Sequence, residues 1–358
     1  MSEFDFPSGQ HVVVVIPDLT RPFDSELWLP AILQALAGRR VEVVVALGLH
    51  RRLTFAELAP IQSICEEHRA ALRQHDPDGA ELRQTSVQPP GWFANDLVEA
   101  DLIVCAGVVE PHQYAGYSGG IKGLSIGCAG RQTINWMHGL EFLRESTTGV
   151  GKLEGNRFQQ SLWELASVFD QVWGFFVVPS GGVYSGPVHA AFDAATQDAA
   201  ARHFFEIAQP VEWLRLVVPP TKATNFYQAS RAATYAALVD RPALVPQGWL
   251  LVEAACPEGI GEGSGERAFA VAMQRGVDVL LDEMQGTHAI GGGEQRAYVL
   301  ATVLRSFRMA VITDADLSEL EAVGISTFSS FEEAKATLGL SNAGLVVENP
   351  FHQVPRLR

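Results

Sequence analysis

A chain of 358 residues can bury a large core and divide into two domains. Its 47% hydrophobic and 19% charged residues exclude a mostly disordered chain. The formal net charge of −15 excludes partners that need clustered Lys and Arg, so neither nucleic acid nor an anionic membrane surface is expected, and an anionic ligand would have to be gripped locally.

The first ten residues, MSEFDFPSGQ, are acidic and polar, and the apolar run from Val12 to Ile16 is too short for a signal-peptide core. No run approaches the roughly 20 apolar residues of a membrane helix. The four cysteines, at 65, 105, 128 and 256, include no CxxC pair, so neither a zinc knuckle nor a disulfide framework is indicated and a reducing cytoplasm is the expected location. Strands are predicted at 11–16, 41–48, 101–107, 172–179, 214–219, 248–254 and 308–313, from apolar β-branched runs. Helical patterns fit 25–37, 55–73, 156–169, 190–207, 226–237, 265–276 and 293–306. The alternation predicts an α/β protein of two domains with mixed or parallel sheets. The boundary is placed at AQPVEW, where a helix ends, a proline intervenes and a strand begins, giving domains 1–208 and 212–345 and a tail, 346–358, packing back on the first.

Chemistry is expected where strands end. His50 follows VVVALGL, His112 follows LIVCAGVVEP, and His138 closes TINWMH. The segment EPHQYAGYSGGIKG, 110–123, sets a histidine, a glycine-rich turn and Lys122 directly after a strand. Glycine lets backbone N–H groups approach an anion and lysine adds charge, which suits a phosphate. It is not a Walker loop, because Lys122 is followed by Gly123 and Leu124 rather than Ser or Thr. GIGEGSG (259–265) lacks the GxGxxG spacing and reads as a loop near the site. GGGEQR (291–296) reads as a turn before a helix, with Gln295 structural. His288, between the two loops, is a candidate to face the cleft, and the remaining histidines are read as ordinary.

Six segments in order, DLTRP (18–22), ALGLHR (46–51), EPHQYAGYSGGIKG (110–123), TINWMH (133–138), GKLEGN (151–156) and NFYQASRA (225–232), together resemble the nickel-pincer lactate racemase family. The resemblance implies a cofactor in the interdomain cleft, a pyridinium-3,5-bisthiocarboxylic acid mononucleotide that clamps nickel through sulfur, carbon and sulfur. Lys122 matches the lysine joined to that cofactor and His138 matches the fourth nickel ligand. His50 and His112 match the two acid/base histidines, one for each face of the substrate. The backbone of Tyr117, Ser118, Gly119 and Gly120 is the cradle for the cofactor phosphate. Asp18 is placed to bond a ribose hydroxyl or to orient a neighbour. Arg21, Arg51, Gln228 and Arg231 are assigned to the substrate.

The resemblance implies an isomerase that racemises or epimerises a small 2-hydroxy acid by reversible hydride transfer. Arg231 departs from the pattern, because the lactate enzyme has lysine there. A guanidinium is a planar fork where ammonium is a point charge, and with Arg52 this points toward a second carboxylate, as in malate. An epimerase of a longer sugar acid and a nickel or cofactor carrier are the alternatives, and the presence of both His50 and His112 speaks against a carrier. The partners implied are the hydroxy acid and the enzymes that build the cofactor, with self-association into a homo-oligomer left open.

Overall fold

Runs of β-branched residues bounded by helices favour strands buried on both faces, and such strands pair in parallel. The computed structural model describes residues 4–87, 91–286 and 290–358; His288 lies outside the described residues. Contacts divide the chain into two units, one of residues 1–110, 117–137 and 158–199, the other of 111–116, 138–157 and 200–358.

The first unit is built on six strands, β1 (His11–Pro17), β2 (Arg40–Ala46), β3 (Ala71–Gln74), β4 (Leu102–Val108), β5 (Val172–Val177) and β6 (Val183–Pro187). Their order across the sheet is β6-β5-β4-β1-β2-β3. All neighbours are parallel except β5 and β6. β1 is central because Val12 to Ile16 have no exposed surface, which requires cover on both faces. Val15 pairs with Val44 of β2 on one side and with Cys105 of β4 on the other. The chain moves outward from β1 through β2 to β3, then returns to lay β4 on the opposite flank. The order therefore reverses between β1 and β4, and in open α/β sheets ligands bind beyond the carboxyl ends at that reversal.

The second unit is built on five parallel strands, β7 (Val211–Val217), β8 (Leu244–Glu253), β9 (Arg308–Ile312), β10 (Ser326–Phe328) and β11 (Gly344–Glu348), in the order β10-β9-β8-β7-β11. A separate parallel pair joins Phe204–Ile207 to Val354–Leu357.

The α/β class and its parallel-rich sheets agree with the sequence expectation, while several element ends differ. The helix expected over 55–73 ends at Glu67, because Arg69 adopts a left-handed φ of 58° and Ala71–Gln74 becomes the edge strand β3. The helix expected over 190–207 stops at His203, and the apolar FFEI that follows pairs as a strand. The helix expected over 226–237 is two, Phe226–Ala229 and Arg231–Ala237, separated at Ser230. Contacts also group the chain differently from a single cut near residue 210. Residues 111–116 and 138–157 associate with the C-terminal unit, where the helix Leu140–Leu143 packs on the helix Glu294–Ser306, and the tail supplies the strand paired with Phe204–Ile207.

The turn after β4 is under close steric constraint. Gly119 has φ +70°, and an added Cβ would lie 2.7 Å from the Val108 carbonyl oxygen. Gly38 has φ +84° with open space around it. We expect Gly38→Ala to cost about 1 kcal/mol, the left-handed penalty alone, and Gly119→Ala to cost more than about 3 kcal/mol because overpacking adds to strain. Urea denaturation of both variants checks this, and equal losses would contradict the packing described for the turn.

Candidate active site

The carboxyl ends of β2, β1 and β4 bring three of the marked segments to one edge of the first sheet. Asp18 follows β1 directly, His50 lies four residues past Ala46, and Glu110 lies two residues past Val108. Adjacent strands are about 4.8 Å apart, so the loops leaving them can touch. His50 Nδ1 and Asp18 Oδ2 are 2.6 Å apart, with Asp18 buried and the His50 side chain 57% exposed. The other carboxylate oxygen, Oδ1, accepts from the Thr20 hydroxyl at 2.6 Å and from its backbone N–H at 3.2 Å. Burial alone would raise the Asp18 carboxyl, but the bonds with His50 and Thr20 outweigh it and hold the carboxyl below its ordinary value. An ionised Asp18 accepts only, so Nδ1 of His50 is the donor and the lone pair of the neutral ring lies on Nε2. Asp18 is thus bonded to the His50 ring.

Arg21 reaches Glu110 through Nη1 to Oε1 at 3.2 Å, a contact that engages one of five guanidinium donors. Arg51 does not join this group. It makes a two-point bond with Glu57, at 2.7 and 2.8 Å, at the start of the helix Phe55–Glu67, and is largely exposed. Glu57 is also the partner of Thr54 in the cap of that helix, so Arg51 braces a helix end.

Tyr117 to Lys122 form a tight connection. The Ser118 hydroxyl donates to the Val108 carbonyl at 2.9 Å, and the Ser118 N–H donates to Glu110 O at 2.8 Å. Both the hydroxyl and the N–H of Ser118 are thus engaged within the turn. Gly119 and Gly120 both have positive φ, and the Gly120 carbonyl accepts from the Cys105 thiol. Lys122 follows this turn, half-buried.

The remaining marked residues lie in the second unit. His112 is 5% exposed, and its Nδ1 accepts from the backbone N–H groups of Tyr114 and Ala115, both at 3.2 Å. Its neutral ring therefore carries its proton on Nε2, the opposite tautomer to His50. Tyr114 packs edge-on against His112 and against His138, with ring centroids 5.8 Å apart in each pair. The Tyr235 hydroxyl donates to the Pro111 carbonyl at 2.8 Å, tying the helix Arg231–Ala237 to the residue before His112. The Asn156 amide donates to Tyr114 O at 2.8 Å and to Lys152 O at 2.9 Å, which explains why GKLEGN belongs with this set. Gln228 and Arg231 meet through Oε1 and Nη1 at 3.4 Å.

Sequence reasoning assigned no role to Glu110, Tyr114 or Tyr235. Two signals were available. Tyr114 lies inside the glycine-rich segment two residues past His112, and Tyr235 follows Arg231 by four positions, on the same helix face.

The fold and the Asp18–His50 pair define an α/β protein with a carboxylate-supported histidine at a topological switch point, an arrangement suited to moving a proton. Residues 5–151 match the lactate racemase N-terminal domain. A lactate racemase of Thermoanaerobacterium thermosaccharolyticum is 31% identical over 169 residues, 44% of this chain and 39% of that protein. One of Lactiplantibacillus plantarum is 29% identical over 163 residues, 43% and 38%. The matched stretches thus span well under half the length of these relatives. In fold, the chain resembles the lactate racemase apoprotein from Thermoanaerobacterium thermosaccharolyticum, with a TM-score of 0.84 at 21% identity over 98% of this chain and 87% of that one. It also resembles a protein from Thermotoga maritima, with a TM-score of 0.71 at 14% identity over 99% and 95%.

The opposite tautomers are directly measurable. Nitrogen-15 NMR at neutral pH should show the neutral form of His50 protonated at Nδ1 and that of His112 at Nε2. Asp18→Asn should move His50 toward the Nε2–H form while leaving His112 unchanged. The same tautomer at both histidines would contradict the hydrogen bonds described.

Proposed function

We propose that this protein racemises a small 2-hydroxy acid, and that the reaction depends on a nickel-pincer nucleotide. The observation that carries the reading is the 2.6 Å bond between His50 and an ionised, buried Asp18, which engages Nδ1 of an exposed imidazole and leaves the lone pair on Nε2. A group so placed accepts a hydroxyl proton, and the adjacent carboxylate stabilises the imidazolium that results.

The donor set fits the cofactor. Lys122 is an amine presented by a rigid glycine turn, suited to a covalent link, and His138 is a half-buried imidazole whose ring is steadied by Tyr114. Imidazole suits nickel(II), so His138 would be the protein's ligand to the metal. When bound, such a group supplies an acceptor and donor for the hydrogen on the alpha carbon, which is too weakly acidic for a histidine to remove alone. The chain's own residues manage the rest. Arg21 holds the carboxylate beside the reacting carbon. His50 takes the hydroxyl proton. His112 presents Nε2–H to an oxygen, and to act as a base it must first yield the two backbone bonds at Nδ1, worth about 1 kcal/mol each. The two histidines are therefore unequal, and His50 is the readier base.

The substrate is proposed to be of malate type. Arg231 stands where lactate-type enzymes have lysine, and it faces Gln228. One charge-assisted bond of roughly 1.5–3 kcal/mol corresponds to about ten- to a hundred-fold in specificity. With protein made alongside the cofactor-building enzymes, kcat/KM for both enantiomers should favour malate over lactate by about that factor. Arg231→Lys should shrink the preference, chiefly by harming malate. A wild type that prefers lactate, or a preference untouched by the substitution, would sink the malate reading.

A further inference from the structure

Arg296 is a buried cation that the roles above leave unused. It lies in the first turn of the helix Glu294–Ser306 and is 8% exposed. Its Nε and Nη1 are buried without a hydrogen-bond partner among the described residues. A guanidinium cannot shed its charge, and burying a cation without a counter-charge is costly. The ring of Tyr227, 4.5 Å from the guanidinium carbon, offers partial compensation. An anion would complete it.

Within the second unit Arg296 is linked to the residues already assigned. Arg296 and Arg231 both lie within electrostatic reach of Tyr114, whose ring packs against His112 and His138. Tyr227, which carries Arg296, stands next to Gln228, which meets Arg231. A lactate-sized acid has one carboxylate, which one guanidinium can hold through two bonds, so two guanidinia within this unit exceed what it can use. We propose that Arg296, together with Arg231, binds the carboxylate remote from the reacting carbon, so that the substrate is a dicarboxylic 2-hydroxy acid. The inference rests on the racemase reading for the identity of that carbon, and it adds a residue that the family resemblance does not supply.

Calorimetric titration of the full chain without cofactor, with malate, lactate and inorganic phosphate as probes, tests it apart from turnover. Wild type should bind malate at least tenfold more tightly than lactate. Arg296→Met should weaken malate at least tenfold and lactate less than twofold, with Arg296→Lys between wild type and Arg296→Met for malate. Removing an uncompensated buried charge should leave the ligand-free Tm of Arg296→Met at or above that of wild type. Unchanged malate affinity in Arg296→Met would overturn the proposal. So would a ligand-free Tm several degrees lower or a failure to fold, which would make Arg296 structural, or phosphate binding more tightly than malate, which would make the site one for a phosphate group. Malate binding that depends on Arg296 in a protein that racemises nothing would overturn the racemase reading while upholding the dicarboxylate site. Malate racemisation with binding indifferent to Arg296 would do the reverse.

Discussion

Parallel pairing of β1 with β2 on one flank and β4 on the other is the constraint on which the first unit's chemistry depends. Asp18 and His50 are 32 positions apart and belong to different loops. They meet because Val15 is in register with Val44, so both strands end at the same level and release their loops side by side. The β-branched residues that make these strands are buried and chemically inert, yet their register decides whether a carboxylate stands beside an imidazole. A slip of one residue would reverse the side chains of a whole strand and separate the pair.

Much of this was legible because the signals were local and repeated. Runs such as HVVVVI and LIVCAGV can only be buried strands, and the loops that follow them carry Asp18, His50 and the 110–123 segment. Less legible were features that depend on contacts remote in sequence. The short edge strands at 183–187, 326–328 and 344–348 have mixed polarity and few residues, so periodicity could not separate them from loops. Arg51 matched a motif position, but its bond to Glu57, six residues away, shows that one residue type in place does not fix its partner. The assignment of 111–116 and 138–157 to the C-terminal unit depends on partners such as Tyr235 and the helix Glu294–Ser306, more than a hundred residues downstream.

The second unit shows a different balance. Tyr114, His112 and His138 form a run of edge-on rings held by backbone and amide hydrogen bonds, an arrangement that limits ring rotation. Beside it, Arg296 is buried with nitrogens that nothing described here satisfies. Local rules of packing and pairing are obeyed elsewhere in this helix and broken at one residue, the pattern expected where a fold gives up stability for binding.

The central claim is that His50 and His112 handle the hydroxyl proton, while the hydrogen on the alpha carbon moves without entering water. Racemisation of a 2-hydroxy acid deuterated at that carbon, by the cofactor-loaded protein in ordinary water, tests this most directly. The account predicts that product of inverted configuration retains the label through the first turnovers. Loss of the label to solvent as fast as racemisation proceeds would mean that a histidine removes the carbon-bound hydrogen as a proton, and would contradict the account.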